Sequence, residues 1–107
     1  MYTEEIKRSA DEIQNQIMKG LPENARYQIV FGDKCRRFTI YCDSLVLYRS
    51  NEIVLGMFET NTPRPENWIT EVNVEDIEWI NIVDKYNDSI LKTAFRAHER
   101  EYIRESE

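Results

Sequence analysis

With 107 residues, 41% of them apolar and 32% charged, the chain has the size and composition of one folded domain rather than of a disordered or fibrous segment. No apolar run approaches the ~18 residues of a membrane-spanning helix. The formal charge of −6 is localised: residues 59–88 hold eight carboxylates against two cations, while both flanks are neutral.

The first predicted element is a helix over residues 3–19. Ile6, Ala10, Ile13, Ile17 and then Leu21 recur at spacings of three and four, which is one stripe of an amphipathic helix. Thr3 is placed to cap it, Glu4 and Glu5 complement the positive end of its dipole, and Gly20 followed by Pro22 supplies the stop.

The period then changes to two. Tyr27, Ile29 and Phe31, a Gly32-Asp33-Lys34 turn, and Phe38, Ile40 and Cys42 predict a β-hairpin. Leu45-Val46-Leu47-Tyr48 predicts a further strand. Ile53-Val54-Leu55-Gly56-Met57-Phe58 is apolar on both faces and is expected in the centre of a sheet, with Gly56 marking a bend or bulge. Short strands joined by short polar turns imply an antiparallel meander, since parallel pairs need long crossovers.

Residues 59–67 carry Pro63 and Pro65 around Arg64 and are expected to form an exposed loop. Residues 69–74 read as a strand with Val72 and Val74 on one side and Glu71 and Asn73 on the other. The apolar parity then slips: Ile77 and Trp79 are odd, Ile80 and Ile82 even. A bulge or single turn at Glu75-Asp76 is therefore expected, with Ile69, Val72, Val74, Trp79, Ile80 and Ile82 buried. The run Val74-Glu75-Asp76-Ile77-Glu78-Trp79-Ile80 resembles the closing strands of SH3-like small barrels. What that resemblance implies is topology, a strongly bent sheet, and no particular chemistry.

A second helix is expected over about residues 88–105, capped at Asn87, Asp88 or Ser89, with Ile90, Leu91, Ala94, Phe95, His98 and Tyr102 inward and a basic stripe of Lys92, Arg96, Arg100 and Arg104. The expected fold is thus α+β and a single domain: an antiparallel β-meander or small SH3-like bent sheet of five to six strands, flanked by an N-terminal and a C-terminal helix.

The residues that chemistry requires are sparse. Nucleophilic catalysis would need Cys35 or Cys42 paired with the single histidine, His98, and no local motif supports either pairing. Phosphate-binding loops need clustered glycines, whereas Gly20, Gly32 and Gly56 stand alone. The cysteines lie seven apart, so on one strand they would face opposite sides, and free thiols are expected. No catalytic residue, metal site or cofactor is expected. The start, Met1-Tyr2-Thr3-Glu4-Glu5, is acidic where a secretory signal would be basic, so a cytoplasmic domain without a membrane partner is expected.

Charge segregation points instead to binding. The expected function is that of an acidic, non-enzymatic inhibitor that captures a basic, nucleic-acid-handling protein, with Glu59, Arg64, Glu66, Trp68, Glu71, Glu75, Asp76 and Glu78 as the partner-binding residues. In size, charge and absence of catalytic motifs the chain is similar to small acidic inhibitors encoded by phages, the anti-CRISPR and anti-restriction proteins. Two alternatives stand beside it. One is an oligomer-forming accessory domain. The other is nucleic-acid binding through Arg26, Lys34, Arg36, Arg37 and Arg49 with neighbouring tyrosines, which the pI near 4.9 disfavours.

Overall fold

In the computed structural model, which describes residues 3–33 and 35–97, the leading amphipathic stripe forms helix α1, Glu4–Lys19. Thr3 Oγ1 accepts the Ile6 N–H at 3.2 Å, and Gly20, at φ 76°, donates its N–H to the Gln16 and Ile17 carbonyls. Ala10 and Ile13 are fully buried, and Ile6, Ile17 and Leu21 pack around them, as the spacing requires. Gln16 is the polar member of this face. It is buried and donates to the Gly20 carbonyl at 3.2 Å, so its amide closes the helix end from inside.

Seven strands follow among the described residues, one or two more than expected. They are β1 (Ala25–Gly32), β2 (Arg37–Cys42), β3 (Ser44–Arg49), β4 (Ile53–Phe58), β5 (Trp68–Asn73), β6 (Ile77–Asp84) and β7 (Ile90–Arg96). They make two antiparallel sheets, ordered β2-β1-β6-β7 and β3-β4-β5. The fold is a small α+β domain. Two corners join the sheets: Asp43, the single residue between β2 and β3, and a 3-10 turn, Val74–Asp76, between β5 and β6.

The expected hairpin forms in register, with Tyr27 opposite Cys42, Ile29 opposite Ile40 and Phe31 opposite Phe38. β4 is central in its sheet, as its two apolar faces demand. Tyr27, Ile29, Ile80 and Ile82 of one sheet meet Leu45, Ile53, Leu55 and Met57 of the other, with Ala10 and Ile13 of α1 and Val74 and Ile77 of the corner closing the core. Each large aliphatic side chain buried this way contributes about 1.5–3 kcal/mol relative to exposure.

The expected second helix is overturned: Ile90–Arg96 is strand β7, antiparallel to β6. Two effects account for the difference. Ile80, Asn81, Ile82 and Val83 are buried, and a buried central strand must have backbone partners on both edges, which β7 supplies beside β1. The pairing also shifts register twice, between Ile80 and Asn81 and between Ile82 and Val83. Two inserted residues break the alternation and imitate helical spacing in Ile90, Leu91, Ala94 and Phe95. The residues read as helix caps form a turn instead. Asp84 Oδ1 accepts the Tyr86 and Asn87 N–H groups at 2.8 and 3.1 Å, Asn87 Oδ1 accepts the Ser89 N–H at 2.9 Å, and Asp88 sits at φ 60°. Of the basic stripe, Lys92 and Arg96 lie on this bulged strand, while Arg100 and Arg104, like His98 and Tyr102, lie outside the described residues.

The parity slip has a sharper location than expected. The 3-10 turn ends at Asp76, but a bulge follows it: Phe31 pairs with Ile77 and Val30 with Trp79, which leaves Glu78 as the extra residue. Trp79 is thereby turned out of the core, where it was expected, and lies half-buried on the opposite face of the sheet. Val74, Ile80 and Ile82 are buried as expected, and Ile69 and Val72 pack partly buried against them.

Gly56 is explained by a close approach rather than a bend. A Cβ there would stand 2.8 Å from the Tyr48 ring and 3.3 Å from that of Phe58, and the nearby register shift falls between Met57 and Phe58.

Both cysteines are free, but their surroundings differ. Cys35 is exposed, whereas burial pushes the Cys42 thiol up to about 12. At pH 8 iodoacetamide is therefore expected to alkylate Cys35 alone in the folded protein and both thiols in urea, with intact mass as the readout. Rapid double labelling of folded protein would contradict the burial of Cys42.

Candidate protein-binding face

The outer face of the β3-β4-β5 sheet is built by alternation. Leu55 and Met57 point into the core, so Val54, Gly56 and Phe58 point outward on β4, beside Val46 and Tyr48 on β3 and Trp68, Glu71 and Asn73 on β5. The register sets Phe58 opposite Trp68 and Gly56 opposite Glu71. Phe58 is buried although it stands apart from the main core.

Residues 59–67 fold over this face. Asn67 organises the loop: its carbonyl accepts the Glu59 N–H at 2.8 Å, and its Nδ2 donates to Thr60 Oγ1 at 2.9 Å and to the Thr62 carbonyl at 3.3 Å. A 3-10 turn, Pro65–Asn67, with proline at its first position, brings the chain into β5. Between loop and sheet lies a groove of about 510 Å³, lined by Val46, Tyr48, Phe58, Arg64, Trp68 and the two flanking prolines, Pro63 and Pro65. Tyr48 and Trp68 remain 45% and 49% exposed, so each ring offers an apolar face beside its polar atom. On the other side of the loop a more polar hollow of about 740 Å³ runs past Asp43 and Lys85 to the end of α1, with Pro63 as the shared ridge.

Of the expected partner-binding residues, Arg64 and Trp68 line this groove, Glu71 stands on the same sheet face opposite Gly56, and Glu59 and Glu66 lie in the loop and its 3-10 turn. All five are exposed. Glu75 and Asp76, also exposed, sit in the 3-10 corner at the far end of β5. Glu78 is elsewhere. Its carboxylate, 14% exposed, takes Arg37 Nε at 2.5 Å and Arg37 Nη2 at 3.4 Å on the other sheet, and the same guanidinium lies 5.0 Å from the centre of the Trp79 ring. The ion pairs formed among the described residues, Lys7–Glu4, Arg26–Asp88, Arg37–Glu78 and Arg49–Asp11, leave Glu59, Glu66 and Glu71 outside.

Of the alternative basic patch, Arg36 is exposed in the turn beside Arg37. Arg26 and Arg37 sit at opposite ends of the β1–β2 hairpin, about 20 Å apart by a strand rise of ~3.3 Å over six residues of β1. Arg26 covers the Tyr41 ring at 4.5 Å and pairs with Asp88 at 2.8 Å, and Arg49 reaches back to Asp11 of α1 at 3.1 Å. Lys34 lies outside the described residues. Between the arginines runs a ladder of neutral groups, in which Asn81 Nδ2 donates to Gln28 Oε1 at 2.8 Å and Gln28 Nε2 to the Tyr41 hydroxyl at 3.0 Å.

Sequence reasoning named Trp68 and the proline loop but missed Tyr48 and Phe58, which complete the groove. The available signal was Gly56, whose missing side chain makes room for both rings. Among the described residues no three His, Cys, Asp or Glu side chains gather as metal ligands, and no helix is long and apolar enough to cross a membrane. No protein-family model, curated protein or solved structure matches the chain.

Proposed function

We propose that this protein is a non-enzymatic binding domain that captures a basic protein on the groove face, and that it acts as a stoichiometric inhibitor of a nucleic-acid-handling partner. The observation that carries this reading is the combination of two half-exposed aromatic rings, Tyr48 and Trp68, in a proline-walled groove with three carboxylates, Glu59, Glu66 and Glu71, that form no ion pair among the described residues. Aromatic anchors in a desolvated pocket carry most of the energy of a protein interface, and a rim of one charge sets partner choice and association rate. Carboxylates within the ~8 Å screening length at physiological salt sum their potentials, so a cationic surface made for phosphates is attracted to the same rim. The two corners, at Asp43 and at residues 74–76, support reading the scaffold as an SH3-like bent sheet that leaves this face free.

The test begins with capture of partners from the native host lysate and their identification by mass spectrometry. Affinity of the captured protein is then measured against salt. Wild-type protein is expected to bind a basic protein with affinity that falls as salt rises. The combined E59K, E66K and E71K variant is expected to lose at least 30-fold, and W68A at least tenfold, with the folded circular dichroism spectrum retained. The partner's nucleic-acid binding should be lost at one equivalent. Unchanged affinity in both variants would remove the groove face from the mechanism.

A further inference from the structure

The groove ends at a sheet edge. β5 is the last strand of its sheet, so one side of its backbone is paired with β4 and the other has no strand beside it among the described residues. Such an edge is a template for a further strand unless the sequence blunts it. The β7 edge is blunted. β7 carries Lys92 and Arg96 and is bulged twice. β3 has α1 packed against it, with Arg49 tied to Asp11. β2 keeps regular register with β1, and its Arg37 is drawn inward to Glu78 of β6.

β5 carries no cation, and its irregularity is confined to one end. Its sequence, Trp68-Ile69-Thr70-Glu71-Val72-Asn73, contains no lysine, arginine or proline, and its one irregularity falls near Trp68, which leaves residues 70–73 in regular register with β4. The charge along it is of one sign. Glu71 stands on the groove face, Glu66 precedes the strand in the 3-10 turn, and Glu75 and Asp76 follow it in the corner. Lone carboxylates would not define a site. Here they border an unblunted backbone edge that begins at a half-exposed tryptophan.

We infer that the cationic partner docks on β5 as an added strand: an extended segment with lysine or arginine at alternate positions, its backbone paired with the outer edge of β5 and its groove-side residues set against Trp68 and Glu71. This rests on the groove-face reading above and adds how the partner is held. Strand addition takes affinity from main-chain hydrogen bonds and specificity from alternate side chains. Residues two apart on the added strand share a face at ~6.7 Å, so that one cation meets Glu71 and the next lies towards Glu66. A neutral or acidic strand would find the same backbone but a repelling rim, which gives selectivity against self-association of a chain whose formal charge is −6.

The experiment uses the full-length protein and a capped nonapeptide of alternating lysine and valine. The same peptide is also N-methylated at alternate residues, in two versions that block one backbone edge or the other, and a glutamate–valine peptide is the charge control. Binding is followed by fluorescence anisotropy at low and physiological salt, and the edge by amide hydrogen exchange. The expected result is saturable binding of the lysine peptide, a loss of at least tenfold for one N-methylated version with less than twofold for the other, slower exchange confined to β5, and no binding of the glutamate peptide. Equal affinity of both N-methylated versions, or protection elsewhere, would overturn strand addition. If the lysine peptide fails to bind while the E59K, E66K and E71K variant still abolishes capture of the natural partner, strand addition is again overturned, and the groove-face reading stands without it.

Discussion

Replacing Ile80 with alanine is expected to lower the unfolding free energy by about 3–4 kcal/mol, the largest loss from any single truncation considered for this protein. Ile80 is 1% exposed and sits in the middle of the four-stranded sheet, opposite Ile29 of β1 and Phe95 of β7. Strands flank it on both sides, so the space left by three carbons cannot be filled by a small backbone shift. For a domain near this size each kcal/mol moves the melting temperature by about 4–8 °C, so a drop on the order of 15 °C is expected. Urea unfolding followed by the fluorescence of Trp68 and Trp79 measures it. L91A is the control. Leu91 is 54% exposed on the edge strand, and its truncation should stay within about 0.5 kcal/mol of wild type. An Ile80→Ala loss below 1 kcal/mol would contradict the pairing of β6 with both β1 and β7.

The second large effect is expected at Gly32, where alanine should cost about 2–3 kcal/mol. The added Cβ would run into the Arg36 carbonyl oxygen and stand 2.9 Å from Arg37 Cα, and both obstacles are backbone where the turn enters β2. No rotamer change relieves that clash. The hairpin end must open, and with it the turn in which Asp33 Oδ1 accepts the Cys35 and Arg36 N–H groups, each at 2.9 Å. Those two donors hold the Asp33 carboxyl below its ordinary range, so its contribution to stability is present above the unfolded value and is lost as pH falls through the lowered one. Chemical denaturation at pH 7 gives the alanine effect. The same substitution at Gly20, where nothing lies within 4 Å of the added Cβ, separates a clash from backbone strain alone. If G32A were no worse than G20A, the steric account would be wrong.

Most elements were legible because their side chains follow one period without interruption. Helix α1 kept its three-and-four spacing from Ile6 to Leu21 and β1 alternated, so burial on one face followed from the sequence, while β4 was apolar on both faces and so central. The single turn after Asn73 was legible as a slip in parity. The failures share a cause. At Glu78 and twice in the pairing of β7, a bulge inserts one residue, and each insertion moves the following side chains to the other face. Trp79 was thereby assigned to the wrong side, and β7 was read as a helix.

The candidate site was half legible. Proline and charge marked residues 59–67 and Glu71 as surface, since such residues cannot be buried in the middle of a sheet. That Tyr48 joins Trp68 across Gly56, that Phe58 floors the groove, and that Glu78 is turned away to Arg37 depend on which strands become neighbours.

By itself, then, the sequence determined the leading helix and its buried stripe, the first hairpin, the central β4, the exposed proline loop and the acidic character of one segment. These follow from local period, turn chemistry and composition. Only the tertiary structure decided that 90–96 is a strand, that Arg26, Arg37 and Arg49 are drawn into ion pairs, and that an apolar groove lies beside the edge strand β5. Those outcomes depend on contacts between residues distant in sequence. There the backbone hydrogen-bonding needs of a buried strand outweigh the weak local preference of seven residues.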